Sequence, residues 1–208
     1  MSAGPVTTLE ALAEAERFDS QLALVREHWV SVRRLWLDSA VPAAVVRIRS
    51  DLPDDFLLGC GMPGIASIKP TRDGHFEFAE GGLTAVIIPA YNGLPGMLDA
   101  NAERHVEELV DLVAVALDRP ERYWRRRGEA LVLGAAYLEI AGQEGEPVPV
   151  FSTPISWLRS GGAGVVVLDW DWVPELLLGH ELIAEDLKLG TRLQAALAPS
   201  IWLAEVAA

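Results

Sequence analysis

The sequence predicts a mixed α/β chain, α+β overall. Helices form the N-terminal part, an antiparallel hairpin region the middle, and a small parallel sheet with flanking helices the C-terminal part. Three observations carry this. Residues 7–38 hold a broad apolar stripe through Leu12, Phe18, Leu22, Val25, Trp29, Val32 and Leu35, the mark of an amphipathic helix. Asp73-Gly74 stands between two short apolar runs, and Asp-Gly is a strong hairpin-turn signal. From Glu129 onward short apolar runs alternate with helical stretches across short loops, the pattern of a small parallel sheet.

The elements follow in order. Thr7 and Glu10 have capping-box spacing, and Asp19-Ser20 can divide the 7–38 helix in two because both residues cap well. Pro42 ends it, and 43–48 reads as a first strand. Residues 51–64, with two prolines and three glycines, read as a loop. Strands are expected at 65–68, 75–78 and 83–90, with a turn at 92–96. The run 106–116 suits a helix or a strand by composition and is taken as a strand from about Leu109.

Beyond Glu129, residues 130–140 read as a helix and 148–151 as a strand. Thr153 caps a helix with Pro154 at its first position, running through Leu158 and stopped by Gly161-Gly162. A strand at 164–168, a short helix at 174–178, a strand at 181–184 and a helix at 187–197 complete the chain. This divides it into an N-terminal helical segment (1–50), a β-rich region (51–128) and an α/β region (129–208), together one compact unit.

Composition limits function. The 208 residues, half of them hydrophobic, suffice for one substantial core. The formal charge is −13, and because residues 1–50 balance acids with bases the excess lies wholly in 51–208. A surface that acidic disfavours non-specific nucleic-acid binding, though not a local basic patch. Cys60 is the single cysteine, so no internal disulfide forms, which fits a reducing cytoplasm. There is no signal-peptide pattern and no apolar run near the ~20 residues of a membrane span, so a cytoplasmic location is expected. The scarcity of lysine among the basic residues and the abundance of alanine suit a GC-rich bacterial genome.

The strongest chemical signal follows the apolar run 164–168, which ends in Asp169-Trp170-Asp171. A continuous apolar run suits a strand covered on both faces, and ligands of open α/β sheets gather outside the carboxyl ends of such strands. If the strand continues, period two places Asp169 and Asp171 on one face and Trp170 and Trp172 on the other. Glu185 and Asp186 follow the next strand. If the two strands are parallel neighbours, all four acids share one edge, and Asp169, Asp171 and Asp186 are candidate ligands for Mg²⁺, which takes one or two carboxylates with water and phosphate. The other reading makes Asp171 a cap of the following helix and leaves the rest solvated.

The one basic cluster is Arg119, Arg122, Arg125, Arg126 and Arg127, with Tyr123 and Trp124 inside it. Arginine interleaved with aromatic rings suits phosphate contact and base stacking on single-stranded nucleic acid. A solvated edge balancing Glu107, Glu108, Asp111 and Glu121 is the alternative. Gly59–Gly64 matches G-x-G-x-x-G literally, but a hairpin follows it rather than a helix and Pro63 falls inside it. It reads as a glycine-rich connection. Cys60 has no histidine in a recognisable motif with it, since His28, His75, His105 and His180 are scattered. Trp36, Trp157 and Trp202 read as core or subunit contacts.

Two resemblances add to this. Residues Ala85, Val86, Ile87, Ile88, Pro89, Ala90, Tyr91 and Asn92 resemble the opening strand of family-2 glycosyltransferases, V-I-I-P-A-Y-N. The resemblance implies a nucleotide-sugar at the strand end and an acidic pair with a metal near a later strand. The matching strand here, 112–117, ends in Asp118-Arg119 without paired acids, and the match spans eight residues. More broadly, residues 83–200 resemble uncharacterised prophage-type proteins through 112–124, 127–134 and 153–161. Their layout is similar to the toprim domains attached to phage primases, in which a strand ending in a catalytic Glu and a helix precede a strand ending in Asp-x-Asp. Asp169 and Asp171 match the last feature, while Ala135 follows the strand where that Glu belongs and Glu139 comes late. A toprim-like region lacking that Glu implies binding in place of cleavage or polymerisation. The expectation is therefore a non-enzymatic accessory protein of a prophage or mobile element, linked to DNA replication or processing, with a protein or single-stranded nucleic acid as partner. A Mg²⁺- or Mn²⁺-dependent enzyme acting on phosphates or nucleotide-sugars, and a structural subunit, are the alternatives.

Overall fold

A computed structural model describes residues 19–20, 22–33, 63–92 and 108–198. They form a mixed α+β structure with two sheets. The larger has five antiparallel strands: β1 (Gly64–Pro70), β2 (Phe76–Phe78), β3 (Leu83–Asn92), β4 (Glu108–Ala116) and β5 (Tyr123–Arg125), in the order β2-β1-β3-β4-β5. The sheet curls into a half-barrel, so that His75, just before β2, bridges to Arg125 in β5 at the opposite edge. The Asp73-Gly74 turn joins β1 to β2 as the sequence predicts, with Gly74 at φ +85°.

The smaller sheet is built from β6 (Val132–Leu133), β7 (Val148–Phe151), β8 (Val165–Val167) and β9 (Leu182–Ala184), in the order β6-β8-β7-β9. β7 runs parallel to both β8 and β9, whereas β6 is antiparallel to β8. The expected parallel sheet is thus a mixed one. The cause lies in 130–140, which is not one helix. Val132 and Leu133 pair with Val167 and Val166, and the helix α2 (Ala135–Glu144) starts only after Gly134. Gly134 sits at φ +79°, and a Cβ there would lie 2.2 Å from the Gly164 carbonyl oxygen. That tight crossing stops the helix from extending backward.

Helices cover both sheets. Residues 22–33 are helical (α1). Asp19 and Ser20 are helical as well, not the break the sequence suggested. α3 (Pro154–Arg159), α4 (Val173–Leu177) and α5 (Leu187–Leu197) flank the small sheet. The Thr153 cap and the Pro154 start hold, with Thr153 Oγ1 accepting from the Ser156 amide at 3.1 Å.

Alternation along the strands yields three cores. Ala85 and Ile87 of β3, with Leu112 and Ala114 of β4, face Leu24 of α1. Val86, Ile88, Val113 and Val115 face the other way, onto Leu133, Val166 and Leu168 and onto Ile155, Trp157 and Leu158 of α3. The far face of the small sheet, with Val132, Val148, Val150, Val165 and Val167, packs on α2, α4 and α5. Both faces of β3, β4 and β8 are therefore covered, and all three read as continuous apolar runs whether their neighbours are parallel or not.

The 43–48 strand, most of the 51–64 loop, the 92–96 turn beyond Asn92, Thr7, Glu10, Trp36, Cys60, His105 and Trp202 lie outside the described residues. Gly64, expected at the end of that loop, opens β1, where a Cβ would lie 2.2 Å from the Ser31 Oγ of α1. Among the described residues no helix is long and apolar enough to cross a membrane.

Candidate functional site at the carboxyl edge of the small sheet

The three parallel strands β8, β7 and β9 end at one edge, so the residues after them share it. Ser152 and Thr153 follow β7, Asp169 and Asp171 follow β8, and Glu185 and Asp186 follow β9. The connection after β7, α3, lies on the face toward the large sheet, and the connection after β8, α4, lies on the opposite face. Adjacent strands whose connections leave on opposite faces open a crevice between their carboxyl ends, here between Ser152 and Asp169.

The acids do reach one edge, but not as strand neighbours. β7 stands between β8 and β9, which sets their ends roughly 9.5 Å apart, twice the usual strand spacing. Each acid has a local task. Asp169 Oδ1 accepts from the Asp171 amide at 3.2 Å, and this curls Trp170–Trp172 into a 3₁₀ turn. The strand therefore ends before Asp169, and the expected alternation of two acids against two indoles does not occur. Trp170 lies under Arg192, whose guanidinium carbon is 3.5 Å from the ring centroid, while Trp172 is largely exposed. Asp186 caps α5 through the Leu189 amide at 2.7 Å. Glu185 Oε2 accepts from both the amide and the hydroxyl of Ser152. Partial burial raises the Glu185 pKa, but these Ser152 bonds outweigh it and hold the carboxyl below its usual value. Asp171 is exposed. Among the described residues no group of three or more His, Cys, Asp or Glu side chains converges to hold a metal ion. Asp169, Asp171 and Asp186 do not make up such a set, and no catalytic step through Mg²⁺ follows from this arrangement.

The arginine cluster is dispersed in the same way. Arg125 reaches the Asp169 carboxylate with both terminal nitrogens at 3.3 Å and donates to the carbonyls of Gly128 and Ala130 at 3.1 and 3.0 Å. Arg126 binds Glu27 of α1 at 3.0 and 3.2 Å, and Arg127 donates to the Ser20 carbonyl. Tyr123 donates its hydroxyl to the Val167 carbonyl at 3.3 Å. Burial pushes its phenol pKa up, opposed by the charges of Arg192 and Arg125. Only Arg119 and Arg122 of the five arginines are exposed. Arg119 lies 3.9 Å from Asp118, and Arg122 lies over Trp124 at 5.7 Å. The cluster joins α1, the half-barrel and the small sheet, leaving Arg119 and Arg122 at the surface beside the exposed Asp118 and Glu121 and the half-buried Trp124.

One acid that the sequence reading set on a solvated edge lies instead in the core. Asp111 is fully buried in β4. Its carboxylate accepts from the amides of Leu112, Arg127, Glu129 and Ala130 at 2.8 to 3.3 Å. It sits beside a bulge where Ala90 pairs with Asp111 and Tyr91 with Leu109. The signal was present as a lone acid inside an apolar run, since a buried carboxylate persists only when several donors satisfy it.

No protein-family model, curated protein or solved structure matches the chain. What fold and site define is an α+β protein with an antiparallel half-barrel packed on a small mixed sheet. The polar residues at the seam between them are largely engaged with one another.

Proposed function

We propose that the chain is a partner-binding accessory protein, acting in the replication or processing of prophage or mobile-element DNA. The observation that carries the binding part is apolar exposure around β9. Leu187 is 87% exposed, Leu178 73% and Ile183 54%, whereas most of the other large apolar side chains described are covered. Large apolar side chains left exposed before, within and after one edge strand are candidates for an interaction surface. Arg125 and Asp169 at the seam, and Glu185 and Asp186 after β9, each make internal bonds. The DNA setting rests on the toprim-like layout of the sequence over 109–200 and on the exposed Arg119 and Arg122, with the half-buried Trp124 beside Arg122.

The test is affinity capture from the source cells with the parent and with Leu178→Ser/Ile183→Thr/Leu187→Ser, quantified by mass spectrometry. The reading expects one defined protein enriched by the parent and lost from the triple variant. Equal recovery by both would overturn it.

A further inference from the structure

We infer that the outer edge of β9 receives an extended strand from a protein partner, apolar at alternate positions and basic at one end. This rests on the partner-binding reading and specifies its surface. Among the described residues β9 is the last strand of the small sheet. It bonds β7 through the Glu181 carbonyl, which accepts from Val148, and the Glu185 amide, which donates to Val150. Backbone groups alternate along a strand, so the amides and carbonyls of Leu182 and Ala184 point away from β7.

Beside that edge lies a groove of about 440 Å³ between β9 and α5. Leu182 and Ala184 form one wall, and Leu193, Gln194 and Leu197 the other. Unpaired main-chain groups next to apolar pockets are the two elements of recognition by strand addition: the backbone supplies affinity and alternate side chains supply specificity. The shortness of β9, three residues, is its one edge protection, since it carries neither proline nor lysine.

Charge defines the occupant. The Val148 amide bonds the Glu181 carbonyl, which brings the exposed Glu146, and Glu144 at the end of α2, to the same end of β9 as the exposed Glu181. α5 ends at Leu197 and Ala198, beside His180 in the same groove, so its terminal carbonyls add negative potential there. A segment seated in the groove is favoured when a lysine or arginine meets that end. The same charge disfavours a second copy of this acidic chain.

The test uses fluorescence anisotropy with the full chain and a labelled peptide, Lys-Lys-Val-Thr-Val-Thr-Val-Ser, at concentrations up to on the order of 1 mM. Saturable binding is expected, about tenfold weaker for the Glu-Glu counterpart and for Glu146→Lys/Glu181→Lys. Ala184→Pro removes an outward amide and leaves the β7 ladder intact, and should weaken binding about tenfold. A peptide methylated on alternate amides should do the same without altering the protein. No binding by the parent, or equal binding of the methylated peptide, would overturn the inference. So would a parent dimer that Ala184→Pro renders monomeric, which assigns the edge to a second copy. A captured partner that Ala184→Pro still retains would end this inference and leave the accessory reading standing.

Discussion

Arg125 and Asp169 lie 44 residues apart in sequence, and their charged groups meet at 3.3 Å on the seam between the two sheets. Arg125 belongs to β5 of the half-barrel, and Asp169 opens the turn that ends β8. Asp169 gives one oxygen to Arg125 and the other to the Asp171 amide. One carboxylate thus ties the sheets together and terminates a strand.

That pair should behave as a coupled unit. Both side chains are mostly buried, at 20% and 25% exposure, so screening by water is limited. A double-mutant cycle with Arg125→Met and Asp169→Asn, followed by urea denaturation, should give a coupling of about 1–2 kcal/mol. Additive losses would show that the contact contributes nothing to stability.

Asp111 should be the least replaceable acid in the chain. Asp111→Asn keeps the volume but directs an NH₂ group toward amides that have only hydrogens to offer. The loss should reach about 3 kcal/mol, read from the denaturation midpoint. A variant within about 0.5 kcal/mol of the parent would contradict the four-amide clamp.

Acidification should act on Glu185 with a definite sign. Its folded pKa is held below the usual carboxyl value, so it contributes stability when ionised. That contribution is present above the unfolded pKa and is lost as pH falls through the lower folded one. Ser152→Ala removes the hydroxyl bond and should move the Glu185 titration up toward the ordinary carboxyl range, as followed by carboxyl-carbon NMR. An unchanged titration would remove the Ser152 hydroxyl as the cause and leave the amide.

Any single-stranded DNA binding should follow the exposed arginines. Arg119→Ala/Arg122→Ala should abolish salt-sensitive binding and leave the melting temperature nearly unchanged, since neither side chain bonds the core. Arg125→Ala/Arg126→Ala should instead lower the melting temperature, because those side chains hold Asp169 and Glu27. No binding by the parent at low salt would defeat the nucleic-acid part of the account.

Much of the fold was legible because local signals agreed with the tertiary result. The Asp73-Gly74 turn, the Thr153-Pro154 start and the 187–197 helix each carry their own chemistry. Residues 130–140 misled because Val132 and Leu133 are apolar in a helical pattern, and only their pairing with β8 makes them a strand. Strand order was not legible at all. Nothing local in Val148–Phe151 says that it lies between β8 and β9, and that placement keeps the strand-end acids apart. The arginine run looked like a surface because charge runs commonly are. Its partners Ser20, Glu27 and Asp169 are remote in sequence and could not be paired from the sequence alone.

Asp169, Glu185 and Asp186 are engaged by bonds within the fold, and this arrangement gives no reason to expect a metal among them. Calorimetric titration of the parent with Mg²⁺ and Mn²⁺, beside Asp169→Asn/Asp171→Asn, tests it most directly. No saturable heat is expected in either protein, and a lower melting temperature is expected for the variant, as Asp169 loses its hold on Arg125. Saturable binding in the parent that vanishes in the variant would contradict it and move the carboxyl edge from scaffold to metal site.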